Sequence, residues 1–178
     1  MELPVTRSAR AIALTATMIA LFALAGCSSG PKPTLYCPNV AILQEANHVI
    51  RGRGKQNDLA TRVVDARITG VAGKCTKSGK VDVRVAFQIG FFARRGPALT
   101  QNSITLPYFI ATVQGNQIFD KQVYPVTFDF KGGADETTAT TKPIRVVAPN
   151  IPRSAQQQIL VGFQLSQAEL AQVLRKAP

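Results

Sequence analysis

Acid–base or nucleophilic chemistry in this chain would have to be built from one histidine, three cysteines and ten carboxylates. His48 is the sole imidazole, so any Ser-His-Asp or Cys-His arrangement must use it. It stands beside Asn47 with Glu45 three residues back, and nothing near it resembles a nucleophile elbow. A glycosidase would need two carboxylates facing one cleft. Asp135 and Glu136 are adjacent, but they sit in a Gly/Thr-rich stretch where solvation is the simpler expectation. Asp82 and Asp120 fall on expected wet strand faces, where pairing with Lys or Arg across strands is the usual role. Two cysteines 38 positions apart, Cys37 and Cys75, and a distant histidine do not supply four metal ligands. The inventory argues against an enzyme and implies no metal and no cofactor.

The third cysteine, Cys27, has a different setting. Arg7 and Arg10 precede an uncharged apolar run from Ala11 to Leu24, and small residues follow it in Leu24-Ala25-Gly26-Cys27. A positive start, a short apolar run and small residues at a cut describe a secretory signal. The run is too short to span a bilayer comfortably, which takes about 20 apolar residues. Leu24-Ala25-Gly26-Cys27 resembles the lipobox of bacterial lipoproteins. That resemblance implies a diacylglycerol on the Cys27 thiol, cleavage before it and acylation of the new amine. It also implies an outer-membrane, periplasm-facing location, because Ser28 and not Asp follows the cysteine. Residues 1–26 are then the signal, residues 27–36 a lipidated tether, and residues 37–178 one domain. About 150 residues is enough for one real core and too few for two ordinary domains. In an exported chain, Cys37 and Cys75 form an even pair that is expected to be a disulfide. The spacing from Cys27 to Cys37 keeps the domain within about 35 Å of the lipid.

Charge is unevenly spread in a chain of net charge +11. Basic residues crowd the stretch from Arg51 to Arg95, where only Asp58, Asp65 and Asp82 oppose them. Arg51-Gly52-Arg53-Gly54-Lys55 lacks the spacing of a phosphate loop and the Ser/Thr after its lysine. Arg51, Arg53 and Lys55 with Arg94 and Arg95 form a candidate anionic-ligand patch, since guanidinium forks suit phosphate groups. Lipid A phosphates, phospholipid headgroups or an acidic protein of the envelope are the partners this chemistry allows. Nucleic acid is set aside, because an exported lipid-anchored protein rarely meets it and no aromatic interleaving or tryptophan supports stacking. A plain solvated positive face is the alternative.

The elements that must position these residues are mostly strands. Pro38 to Arg51 fits either a short helical face or an edge strand, and the Arg51–Asp58 stretch reads as a loop. Leu59 to Val71 is a strand ending at Gly73. Gly79 to Phe92 carries the clearest signal: Val81, Val83, Val85, Phe87, Ile89 and Phe91 alternate with more polar or smaller residues. Ser103–Val113 and Gln117–Phe130 flank a hairpin turn at Gln114-Gly115-Asn116. Pro125 marks the second arm as an edge or a bulge. Lys131 to Thr138 reads as a turn-rich loop. Strands follow at Lys142–Ala148 and Gln157–Leu165. Ser166-x-x-Glu169 is a capping box for a terminal helix over Gln167–Arg175, with Leu165 and Leu170 as its hydrophobic staple. The pattern predicts a mainly β chain: one antiparallel β-sandwich, immunoglobulin- or fibronectin-like in architecture, with a short C-terminal helix.

Leu106-Pro107-Tyr108-Phe109-Ile110-Ala111 and Val161-Gly162-Phe163-Gln164-Leu165 resemble stretches of an uncharacterised family of proteobacterial lipoproteins. That resemblance implies no activity. The expectation is a lipid-anchored binding or assembly module of the cell envelope, with a carrier of anionic envelope lipid or a small envelope hydrolase as alternatives. Replacing Cys27 by Ser is expected to leave an uncleaved, mislocalised precursor. Normal processing and membrane retention of that variant, followed by gel shift and fractionation, would refute the lipoprotein assignment.

Overall fold

Period-two alternation decides how strand β4 (Asp82–Arg95) sits. Val83, Val85, Phe87, Ile89, Phe91 and Ala93 are buried, while Arg84, Gln88 and Arg94 point to water. A computed structural model describes residues 35–53, 58–149 and 157–176. Cys27 and Lys55, together with the expected signal and most of the tether, lie outside the described residues. Within the described residues, a pair of sheets packs face to face, so the β-sandwich expected from the patterning forms.

The first sheet runs β2 (His48–Gly52), β3 (Arg62–Ser78), then β4. The far edge of β4 is shared by two short strands: β7 (Glu136–Thr140) lies along Gly90–Arg94 and β8 (Ile144–Pro149) along Asp82–Phe87. Between them, the Ile89 N–H is taken by the Thr141 hydroxyl at 3.1 Å, so the change of strand leaves no unpaired donor there. The second sheet runs β1 (Asn39–Ile42), β9 (Gln157–Phe163), β5 (Ser103–Gln114) and β6 (Gln117–Asp129). Its β1–β9 pairing is parallel, an exception in an otherwise antiparallel fold. Among the described residues one α-helix, α1 (Gln167–Lys176), follows β9.

Phe91 is the centre of the core. Its ring lies 5.2 Å from Tyr108, 6.2 Å from Phe128 and 5.8 Å from Phe163, so one side chain of the first sheet meets three of the second. Each such buried ring contributes about 2 kcal/mol by leaving water, and edge or tilted contacts add to that. Burial pushes the Tyr108 hydroxyl above its ordinary titration range, with Tyr124 adding to the effect.

Several boundaries depart from the expectation. Of the two readings of Pro38–Arg51 the edge strand forms, as β1, and a 3-10 turn at Gln44–Ala46 leads from it into a further strand, β2. Strand β3 runs through Gly73 to Ser78. A Cβ at Gly73 would come within 2.6 Å of both Ala86 O and Phe87 Cβ, so this glycine lets the strands close and does not end one. Val81, expected in the buried row, is exposed in the turn after Gly79, whose φ of +67° supplies the left-handed residue that turn needs. Glu136–Thr140 pairs as β7 although its composition suggested a loop.

The expected disulfide forms. Cys37, just ahead of β1, is bonded to Cys75 in β3 with the Cα atoms 6.1 Å apart, and the bond ties one sheet to the other. Both thiols are therefore expected to resist alkylation until reduced. Replacing both with Ala should lower the unfolding free energy in urea by roughly 3–4 kcal/mol, the loop-closure value for this separation.

Candidate binding surface

Strand register decides whether the basic residues of the candidate patch can meet. Arg51, Val64 and Arg95 lie in one row across β2, β3 and β4, and Val64 is fully buried, so the two arginines lean toward the interior. Asp65 and Arg94 occupy the next row and point to the opposite, outer face. The four described residues do not share one face: Arg51 and Arg95 turn one way, Arg94 the other, and Arg53 is exposed beyond β2, while Lys55 is outside the described residues.

Arg51 is engaged inside the fold. Its Nη1 lies 2.8 Å from Glu169 Oε1, and its Nη2 donates to the Gln164 carbonyl at 3.1 Å. Glu169 itself is buried. Its Oε2 accepts from the Ser166 N–H at 2.7 Å, while the Glu169 N–H donates to Ser166 Oγ at 3.3 Å. This is the capping box expected from Ser166-x-x-Glu169, with one addition: the carboxylate that caps α1 is also the counter-ion of an arginine from the other sheet.

The outer face of the first sheet is neutralised differently. Arg94 donates through Nε and Nη2 to Glu136 Oε1 at 3.0 and 2.7 Å, which holds its guanidinium pKa above the ordinary value. His48 Nε2 lies 2.7 Å from Asp65 Oδ1, and Asp65 Oδ2 is 3.4 Å from Arg62 Nη1. Arg67 stacks over the Phe92 ring at 4.6 Å. Arg95 donates to the Leu99 carbonyl at 3.0 Å. His48 therefore has an acid beside it, but the two described cysteines are tied in the disulfide. Among the described residues no three metal-ligating side chains gather.

Strand β6 is one of the sheet edges among the described residues. Every residue from Gln117 to Pro125 is exposed, on both faces of the strand. Ile118, Phe119, Val123 and Tyr124 are the large apolar side chains among them. Strand β5 is its only partner among the described residues, and the direction of its backbone groups follows from one bond. The Pro107 carbonyl accepts from Gln164 N–H, so Pro107 faces β9 and its opposite number Pro125 faces away from β5. By the same parity, the N–H and C=O of Lys121 and Val123 point off the sheet. Pro125 ends that donor row, in the way edge strands limit uncontrolled pairing. The signal in the sequence is a broken alternation: Phe119 and Tyr124 fall on both sides of the Asp120-Lys121-Gln122 stretch, which no one-sided strand would do.

Breaking the interior ion pair has a defined consequence. Arg51→Met leaves the Glu169 carboxylate buried without its cation and is expected to lower stability by about 2 kcal/mol in a urea titration. The double variant with Glu169→Gln should lose less than the sum of the two single changes, because it removes the stranded charge while keeping a capping side chain. Compared with protein-family models, curated proteins and solved structures, the chain matches none of them.

Proposed function

We propose that this chain is an outer-membrane-anchored, periplasm-facing lipoprotein whose sandwich domain is a binding or assembly module of the cell envelope. Its partner is another envelope protein that adds an extended segment along β6. The observation that carries this reading is the free edge at Lys121–Val123, with outward N–H and C=O groups and exposed apolar side chains on both faces. An added strand would gain main-chain hydrogen bonds from that edge and side-chain contacts from Val123 and Tyr124, the physics of β-augmentation. The N-terminal pattern ending in Cys27 supports the anchor, and the Cys37–Cys75 bond fits an oxidising compartment.

A lipid carrier would be favoured by a hollow apolar interior. Here the space between the sheets is filled by Phe87, Phe91, Phe128, Phe130 and Phe163, all fully buried. The cleft beside the disulfide, lined by Pro38, Val40 and Val71 among others, is open and holds about 210 Å3. That is below the usual size of a small-molecule site. No catalytic role is proposed for His48.

Lys121→Pro tests the edge, with Lys121→Ala as the control for losing the Lys121 Nζ contact over the Phe109 ring at 4.7 Å. It deletes an N–H that points away from β5, so the β5–β6 ladder and the thermal melt should be kept. With a photo-crosslinking residue at Val123 in cells, a discrete protein adduct is expected, and Lys121→Pro should cut its yield at least about tenfold. An adduct unchanged by Lys121→Pro, or none at all from Val123, would sink the proposal.

A further inference from the structure

The ion pairs of the described residues are gathered at one end of the first sheet, around Arg51, Arg62 and Arg94. At the other end the cations have no such partners. Lys74, Lys77, Lys80, Arg84 and Arg145 are all exposed, and among the described residues none is in an ion pair with a carboxylate. Asp82 is the single carboxylate on this stretch of the β3–β4 hairpin. Register places Lys74, Ala86 and Arg145 in one row, and Thr76, Arg84 and Val147 in the next row of the same face. Lys74 and Arg145 are then about 10 Å apart with Arg84 between and beside them. Like charges held this close repel one another, and folding alone gives no reason to collect them.

This basic end is also where the chain enters the domain. The disulfide holds Cys37 against Cys75, three residues before the end of β3. The second sheet aligns with it: Asn39, Gln158, Val113 and Ile118 form one row, so the β5–β6 turn lies at the same end as the start of β1. Large apolar side chains are exposed at these tips, Val81 at 64% after the β3 turn, and Ile118 at 61% and Phe119 at 53% after the β5 turn. Cations flanking exposed apolar tips are what a surface needs to meet charged headgroups and the acyl boundary below them.

We propose that this end of the sandwich docks on an anionic phospholipid bilayer. Lys77, Lys80 and Arg84 face the headgroups, with the long side chains of Lys74 and Arg145 behind them, and Val81 and Phe119 enter the interface. The proposal takes its membrane from the lipoprotein reading, but the surface itself acts without the lipid anchor. A domain held at both Cys27 and this face has a fixed orientation.

The compact unit from Leu35 onward holds the whole of the described core, so residues 28–178 without lipid are the protein to test. Sedimentation with phosphatidylcholine vesicles is compared with sedimentation with mixed phosphatidylcholine–phosphatidylglycerol vesicles. Binding is expected only to the mixed vesicles and should weaken with added salt. Each basic residue at an anionic leaflet strengthens binding about fivefold, so the triple variant Lys74→Glu, Arg84→Glu, Arg145→Glu should weaken it by at least about a hundredfold. Phe119→Ser with Val81→Ser should remove the component of binding that survives high salt. Arg53→Glu, on the opposite end, should have no effect. No binding to the mixed vesicles, equal binding to phosphatidylcholine alone, equal loss with Arg53→Glu, or tighter binding to a nucleic-acid duplex than to the vesicles would each overturn the proposal. Failure here leaves Cys27 processing unaffected, so the anchor and the docking face are judged by separate measurements.

Discussion

The inner row of β4, from Val83 to Ala93, must be covered by a second sheet or stay in water, and covering it sets where the other elements go. Phe91 is the contact through which that cover is made, because Tyr108, Phe128 and Phe163 converge on it from the second sheet. Apolar burial has no direction of its own, so it brings the sheets together without choosing how they are fastened. The fastening comes from groups that do have geometry, and they sit at opposite ends.

At one end the disulfide joins the start of β1 to β3. At the other, Arg51 reaches from β2 to the buried carboxylate that caps α1. These two links divide the basic character of the chain into groups with different roles. Near the Arg51 end, Arg51, Arg62 and Arg94 are paired with Glu169, Asp65 and Glu136. Cations around the disulfide end are exposed without carboxylate partners and stay available for an outside surface. Closing a core leaves β6 at the margin, since the first sheet covers only the later portion of that strand, where Val126 and Phe128 are buried. The same architecture that seals the interior thus exposes an edge.

Strands with one wet face were legible from sequence because a buried row must repeat every second residue, as β4 does throughout and β6 does over Val126 and Phe128. The capping box was legible because Ser166 and Glu169 meet through local backbone geometry alone. Glu136–Thr140 was not: a threonine-rich stretch has no apolar row to announce a strand, and β7 exists because β4 offers it an unfilled ladder. Gly73 misled for a related reason. The close approach it permits belongs to Ala86 and Phe87, thirteen or more residues away along the chain.

Residue types and their spacing by themselves determined the buried row of β4, the helix cap, the expectation that Cys37 and Cys75 pair, and the excess of basic charge. Those properties depend on neighbours in sequence or on composition, which need no fold to be read. Which cations are consumed and which are left over is another matter. Arg51 and Glu169 are 118 positions apart, Arg94 and Glu136 are 42 apart, and no local rule brings either pair together. Only the register of β2, β3, β4 and β7, with Glu169 of α1 brought to Arg51, decided that Arg51 and Arg94 would meet carboxylates while the cations near the disulfide would not. The free edge of β6 was decided in the same way, because whether a strand has a neighbour is a property of the sheet and not of the strand.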